Sequence, residues 1–156
     1  MELDKSTLES MIRNIIVEKL SGMNSCGCTD YKREVVSGGV MSVKLPTVRV
    51  SESDRMDTGT PSHKVYTKDL FTLSESPRLG CGIMEMTETT FDWTLNYDEV
   101  DYVIEGTLSV IINGEKVTAK EGELILIPKG SSIQFSVPNY ARFIYVTYPA
   151  DWASQG

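Results

Sequence analysis

Apolar and polar residues repeat with the period of an α-helix near the start of the chain. Over residues 4–21, apolar side chains recur at positions i, i+3, i+4 and i+7, which predicts an amphipathic helix. Ser6 and Glu9 have the spacing of a capping box, and Gly22 is a typical helix stop. The predicted apolar face consists of Leu8, Met11, Ile12, Ile15, Ile16 and Leu20.

The next segment, residues 23–45, loses this period. It is rich in glycine and small residues with scattered charges, which indicates a linker or irregular segment. A helix that ends at such a linker cannot bury its own apolar face. Two alternatives follow for residues 1–22: docking on the chain's own domain, or docking on another protein.

Residues 46–156 show short apolar runs that alternate like β-strands and are separated by Gly, Pro and Asn turns. Asn113-Gly114, between two such runs, predicts a two-residue type I′ hairpin. No helix of useful length is predicted here, so the pattern indicates an all-β sandwich or barrel. The predicted strands are residues 47–50, 80–86, 100–104, 108–112, 115–119, 124–127, 133–137 and 141–147.

Composition and charge narrow the function classes. The 156 residues are 40% hydrophobic and 24% charged, as in a soluble globular protein, and the net charge is -7. Nucleic acid and anionic membrane surfaces require clustered Lys and Arg, so we expect neither as a partner. The sequence has no apolar run of membrane-spanning length and no signal-peptide pattern, so we expect a cytoplasmic protein.

The cysteines offer little chemistry. In a cytoplasmic protein Cys26, Cys28 and Cys81 are expected to stay reduced. Four-ligand zinc sites rarely come from three cysteines and one histidine, His63. We interpret the Cys26–Cys28 pair as part of a loop and His63 as a surface residue.

The order of strands and turns resembles a cupin, a jelly-roll barrel. Glu99 and Gly106 have the spacing that ends the first cupin motif. Gly122, Pro128 and Gly130 have the spacing that begins the second. The resemblance covers roughly residues 80–148 and implies a cupin barrel over residues 46–156.

The metal-binding histidines of cupins are missing. Of the ligands that the resemblance implies, only Glu99 is present, and one carboxylate does not hold a transition metal with useful affinity. We therefore expect no tightly bound metal of the usual cupin type. The positions that the histidines would occupy are Trp93 and Leu95, or Asp92 and Thr94 with the longer spacing, and Ile133.

A polar face remains in their place. Alternate residues of a strand share a face, so an inward Glu99 predicts inward Tyr97 and Asp101. Two close carboxylates in a barrel mouth could act as acid and base, or bind Mg²⁺ through Glu99. The alternatives are a solvated pair, or one bonded to Arg78, Lys68 or Arg142. Trp93 and Ile133 are expected to line the pocket, where Trp93 could equally fill the core.

Two longer segments carry a closer resemblance. SPRLGCGIMEM (residues 76–86) and FDWTLNYDEVDYVIEGTL (residues 91–108) resemble the ethanolamine-utilisation cupin family EutQ. The resemblance implies a role in ethanolamine breakdown inside a bacterial microcompartment. It also implies acetate kinase activity, with Tyr97, Glu99 and Asp101 around Mg²⁺ and ATP that are not tightly bound.

Partners and alternatives follow from the same resemblance. Residues 1–22 are similar to short helices that target enzymes to microcompartments, which favours docking on shell or enzyme proteins. Cupins commonly pair, so a homodimer is expected by analogy. The sequence has no Walker-type loop, so a kinase must hold phosphate in another way. The alternative is a non-catalytic cupin that binds a small ligand or helps to assemble the compartment.

Overall fold

The computed structural model describes residues 30–155. The predicted helix with its apolar face, the pair Cys26–Cys28 and the first part of the predicted linker lie outside these residues. The described residues divide into two compact units, residues 30–35 with 41–48, and residues 36–40 with 49–155. None of their helical segments is long and apolar enough to cross a membrane.

The first unit contains a small antiparallel sheet. Strand β1 (Arg33–Val35) pairs with β2 (Met41–Val43), and a 3-10 turn, Leu45–Thr47, follows. Part of the segment predicted to be irregular is therefore β-structure. The predicted strand at residues 47–50 is wrong, because Pro46 lacks a ladder donor and its fixed φ suits the first turn of a helix.

The second unit is built on six antiparallel strands in the order β3-β4-β8-β5-β6, with β7 also paired to β5. This confirms the all-β prediction. Strand β3 was not predicted, because its sequence KVYTKD is mostly polar and half-exposed. The strands are β3 (Lys64–Asp69), β4 (Gly80–Thr94), β5 (Asp98–Ile112), β6 (Glu115–Lys120), β7 (Leu124–Ile127) and β8 (Ser132–Tyr148).

Three strands are much longer than predicted, and the strand predicted at residues 80–86 continues to Thr94 in β4. Residues 100–104 and 108–112 belong to the single strand β5, and residues 133–137 and 141–147 belong to β8. The glycine and the proline that suggested strand ends lie instead at irregularities in the pairing, near Gly106 and Pro138. A bulge takes up such a residue without ending the strand.

The predicted hairpin between β5 and β6 is confirmed. Asn113 and Gly114 have φ values of 52° and 81°, as the two central positions of a type I′ turn require. The turn places β6 beside the second half of β5. The paired residues run from Thr107 opposite Lys120 to Ile112 opposite Glu115. The first half of β5 is left free to pair with β7.

Alternate side chains of the strands pack into one apolar core. The predicted inward wall of Ile133, Phe135 and Val137 is confirmed, since each is at most 4% exposed. Phe135 and Phe143 stack within this wall, with ring centres 6.4 Å apart. The core surrounds two buried carboxyl groups on β5, and these begin the candidate site.

Candidate functional site

The first half of β5 carries the polar face predicted from the sequence. Tyr97, Glu99, Asp101 and Val103 are all buried, and Asp101 is 0% exposed. The predicted alternation is therefore confirmed. Because both carboxyl groups are buried, the alternative of a solvated pair is wrong.

The neighbouring strands surround these carboxyls with apolar and hydroxyl groups. Glu99 pairs in register with Thr147 of β8 and Ile127 of β7. Asp101 pairs in the same way with Tyr145 and Ile125. The carboxyls thus lie between a hydroxyl-bearing strand and an aliphatic one.

The candidate cation partners have other contacts. Lys68 Nζ lies 3.3 Å from Asp54 Oδ2 and donates to the Arg49 carbonyl. Arg142 donates to Glu85 Oε1 over 2.6 Å, and Arg78 is exposed. The causes that set the pKa of Glu99 are its burial and Asp101, and no cation is among them.

Burial favours the protonated form of the carboxyl pair. Among residues 30–155, Glu99 Oε1 and both Asp101 Oδ atoms have no hydrogen-bond donor. Burial raises the pKa of Glu99 to about 8. Burial also raises the pKa of Asp101 well above its usual range, and the charge of Glu99 adds to this. Two carboxylates cannot hydrogen-bond each other, so a proton on one lets it donate to the other.

Glu99 opens into a narrow pocket that encloses about 250 Å³, its open mouth included. Trp93 Nε1–H donates to Tyr97 Oη over 2.9 Å on one side, so Trp93 lines the pocket rather than filling the core. Asp101 is 0% exposed and is not part of the described lining, so its predicted catalytic role beside Glu99 stays a prediction. The lining residues are Met56, Met84, Trp93, Tyr97, Glu99, Phe135, Tyr145 and Trp152.

The opposite wall was missed by the sequence analysis. Tyr145 Oη donates to Asp69 Oδ1 over 2.7 Å, and Trp152 packs on the Tyr145 ring with centres 5.9 Å apart. Burial, reinforced by Asp69, raises the pKa of Tyr145 and keeps it a neutral phenol. The alternation of Tyr145 with Phe143 and Thr147 along β8 was the available signal, but it does not separate a pocket residue from a core residue.

Gly82 makes room for this phenol. A Cβ on Gly82 would lie 2.1 Å from both Cζ and Oη of Tyr145, and 2.7 Å from the Lys68 carbonyl oxygen. Gly82 is also the ladder partner of Tyr145. The Gly-Cys-Gly sequence of β4 therefore has a local cause: a side chain at residue 82 would displace Tyr145.

A wider recess adjoins the mouth of the pocket. It encloses about 500 Å³ and shares Met56, Trp93, Tyr97 and Trp152 with the inner pocket. Thr94, Asn96 and Ala153 complete its described lining. Neither lining contains a Lys or Arg among residues 30–155. The two cavities thus form a continuous aromatic path to Glu99.

Ile133 does not line the pocket that contains Glu99. It lines a separate surface pocket of about 470 Å³ on the side of the Asn113-Gly114 hairpin. Of the residues that the structure describes, only Trp93 lines both cavities. The prediction for Ile133 was wrong because strand alternation fixes the face of a residue but not the cavity beside it.

The positions of the cupin metal ligands are occupied by other side chains. Trp93 is half-buried, Leu95 and Ile133 are buried, and Asp92 and Thr94 point to solvent. Within residues 30–155, no group of three or more His, Cys, Asp or Glu side chains could hold a metal ion. Glu99 is the one carboxyl in the described pocket lining, and a single carboxyl among Met, Trp and Phe side chains does not fit a resident Mg²⁺.

His63 is half-buried rather than on the surface as predicted. Its Nδ1 lies 2.9 Å from Thr58 Oγ1, and its ring centre lies 6.3 Å from that of Phe91. The polar sequence around it suggested exposure, but the tertiary contact with Phe91 decides otherwise. It does not line the Glu99 pocket.

Comparison with known proteins gives a consistent result over most of the chain. A family model described as "Ethanolamine utilisation protein EutQ" matches residues 3–154. The chain is 69% identical over 153 residues to "Acetate kinase EutQ" of Clostridioides difficile strain 630, covering 98% of this chain and 96% of that protein. It is 35% identical over 153 residues to a protein of the same name from Salmonella typhimurium strain LT2, covering 98% of this chain and 65% of that protein.

Solved structures agree with the fold. The EutQ protein of Clostridium difficile superposes with a TM-score of 0.81 at 75% identity, covering 82% of this chain and 93% of that chain. The Cnp3 cupin domain of Schizosaccharomyces pombe has a TM-score of 0.56 at 16% identity, covering 78% of this chain and 88% of that chain. This second likeness shows the fold alone, and it confirms the predicted cupin architecture.

Proposed function

Because the chain belongs to the EutQ family of ethanolamine utilisation proteins, we propose that it transfers a phosphoryl group between ATP and acetate. The strongest support is its similarity, over 98% of its length, to a protein named acetate kinase. The Glu99 pocket is the site that fits this reaction best. The non-catalytic alternative is not favoured, because the similar proteins carry an enzyme's name.

The chemistry requires placement more than proton transfer. An acetate oxygen attacks the γ-phosphorus of ATP, the new O–P bond forms, and the bond to the bridging oxygen breaks to release ADP. Acetate is already ionised at neutral pH, so no base is needed, and catalysis depends on positioning and on neutralising charge. In this proposal the methyl group contacts Met84 and Phe135, and the carboxylate faces Glu99.

The nucleotide is assigned to the outer recess. Trp93 and Trp152 offer aromatic rings there on which a base can stack. Since no Lys or Arg lines the described recess, Mg²⁺ arriving with ATP supplies the positive charge on the phosphates. ATP and Mg²⁺ are thus substrates of the reaction rather than resident cofactors.

An assay of acetyl phosphate formation tests the proposal. Purified protein with ATP, Mg²⁺ and acetate is expected to form acetyl phosphate, and Glu99→Leu is expected to lower kcat/KM by about 100-fold. Leucine has a similar volume and leaves the core packed. Glu121→Leu, at an exposed position, serves as the matched control and should keep full activity. Equal residual activity in wild type and Glu99→Leu would place the activity elsewhere.

We also propose that the protein works in a bacterial microcompartment, where residues 1–22 dock on shell or enzyme proteins. The support is the amphipathic pattern at residues 4–21 and the family's role in ethanolamine utilisation. Deletion of residues 2–22 should leave the barrel folded and abolish co-purification with shell proteins. Retained co-purification would reject this part of the proposal.

A further inference from the structure

The pocket around Glu99 contains hydroxyl-type donors and no described cation. Its polar groups are the carboxyl of Glu99 and the phenols of Tyr97 and Tyr145, among Met, Trp and Phe side chains. Glu99 is 4% exposed, and its Oε1 has no partner within residues 30–155. A buried polar atom without a partner is costly, so a ligand that pairs with it gains binding free energy.

The two phenols differ in what they can offer a ligand. Tyr145 already donates its hydroxyl hydrogen bond to Asp69 Oδ1 over 2.7 Å. Tyr97 instead accepts a hydrogen bond from Trp93 Nε1–H over 2.9 Å, so its own hydroxyl hydrogen is directed away from Trp93. Tyr97 can therefore donate a hydrogen bond to a ligand beside Glu99, whereas Tyr145 offers the ligand only its ring surface.

From this arrangement we propose that the pocket binds small monocarboxylates through neutral O–H donors, namely the protonated Glu99 carboxyl and the Tyr97 phenol. One carboxylate oxygen accepts these bonds, and the short alkyl chain packs against Met84 and Phe135. The inference rests on the proposed function for the choice of acetate. It adds how the substrate class is recognised and which group must keep its proton.

Asp101 acts through Glu99 in this proposal. It is 0% exposed and does not line the pocket, so it cannot touch a ligand there. Burial raises the pKa of Glu99, whereas the contact with the Asp101 carboxyl lowers it, so Asp101 does not supply the proton-retaining effect. Asp101 is thus a positioning residue that orients the Glu99 carboxyl from behind.

The same geometry disfavours an ammonium ligand, although aromatic walls such as these can contact a cation. An ammonium ion needs an ionised carboxylate, so the buried pair would first have to lose a proton. A carboxylate ligand needs the proton to stay. Acetate and ethylammonium therefore distinguish the two charge states of the pocket.

Affinity for acetate should depend on pH through Glu99. The titratable groups that face or contact it are Asp101, Tyr97 and Tyr145, with Asp69 beyond Tyr145; Ile125 and Ile127 on β7 carry no charge. Burial raises the pKa of both phenols, so they stay neutral in the range of interest. The protonated form of Glu99 binds the acetate anion, so affinity is constant between about pH 6, where acetate is ionised, and about pH 8, and it falls as pH rises further.

The test is a titration of the full chain with ¹³C-acetate, without nucleotide, followed by NMR. The wild type should bind acetate at about pH 6 and weaken about tenfold for each pH unit above about 8. Glu99→Gln, whose neutral amide donates at any pH, should bind without this pH dependence. At about pH 6, Glu99→Leu should lose at least about tenfold in affinity relative to wild type, and Tyr97→Phe should lose about fivefold.

Several results would overturn the inference. These are affinity that is unchanged or stronger at high pH, Glu99→Gln binding as weakly as Glu99→Leu, no acetate binding by wild type, or ethylammonium displacing acetate. Should Glu99→Gln fail to fold, Tyr97→Phe and the wild-type pH profile still decide the matter. If the protein binds acetate in this way but has no kinase activity, the proposed reaction alone is refuted. If it is a kinase whose affinity for acetate is unchanged by substitution of Glu99, this inference alone is refuted.

Discussion

At the scale of single residues, the buried carboxyl pair is the feature that carries the most chemistry. Glu99 and Asp101 are at most 4% exposed, yet three of their four oxygen atoms lack a donor within residues 30–155. Retaining protons lowers the cost of burying them. The pair therefore links ligand recognition, protonation and stability in one place.

This link predicts how stability depends on pH. The pKa of Glu99 rises from an ordinary value of 4.5 to about 8 on folding, so between these values the folded state binds more protons than the unfolded state. Stability is then highest at the acid end of this window and falls as pH rises through about 8. Glu99→Gln and Asp101→Asn should each flatten this dependence and be more stable than wild type at about pH 9.

Urea unfolding at about pH 5, 7 and 9 measures the effect. Relative to Glu99→Gln, the free energy of unfolding of wild type should fall by a few kcal/mol across this range. Glu121→Gln, at an exposed position, should follow the wild type. Parallel curves for wild type and Glu99→Gln would contradict the raised pKa.

At the scale of elements, the two halves of β5 pair with different strands on the same edge. Its first half pairs with β7 and its second half with β6, and the change occurs near Gly106. Gly106 has φ of 80°, and a Cβ there would lie 2.0 Å from the Tyr140 carbonyl oxygen of β8. Only glycine fits both the dihedral angle and the close approach.

Two alanine variants separate these causes. Gly114 has nearly the same φ, 81°, but a Cβ there would meet no atom within 4 Å. Gly114→Ala should therefore cost only the strain of the positive φ, about 1 kcal/mol. Gly106→Ala should cost about 2 kcal/mol more, because it also forces β5 away from β8. Thermal unfolding of the two variants measures the difference, and equal losses would show that the contact with Tyr140 can relax.

At the scale of the whole molecule, the outer face of the sheet is unusually apolar. Leu126 is 63% exposed and lies beside Val100, which in turn pairs with Val146. Tyr102 and Leu124 form the next row of the same face. Exposed apolar patches of this kind mark interaction surfaces.

We expect this face to join two copies of the chain, in line with the homodimer predicted by analogy. Light scattering after size exclusion should give twice the monomer mass for the wild type. Leu126→Lys should shift it to the monomer, because it would bury an unpaired charge. Val117→Lys is the matched control: Val117 is 55% exposed on β6, outside the patch, and should leave the mass unchanged. A monomeric wild type would contradict the prediction.

The sequence predicted local features well because they depend on neighbouring residues. The Asn113-Gly114 turn and the inward alternation of Tyr97, Glu99 and Asp101 follow from backbone sterics and the two-residue period of a strand. The spacing of Glu99 and Gly106 also carried the cupin resemblance. Strand ends were less predictable, because the sequence does not distinguish a proline at a bulge, such as Pro138, from a proline that ends a strand.

What the tertiary structure alone decided is the composition and charge of the pocket. Tyr145, Trp152 and Met56 lie on the walls around Glu99, far from it in sequence, whereas Ile133 and Asp101 are excluded from its lining. The sequence determined that two carboxyls share a face. Only their burial on the inner face of the sheet, between β7 and β8, decided that their pKa values are raised, because desolvation is set by every element packed around them.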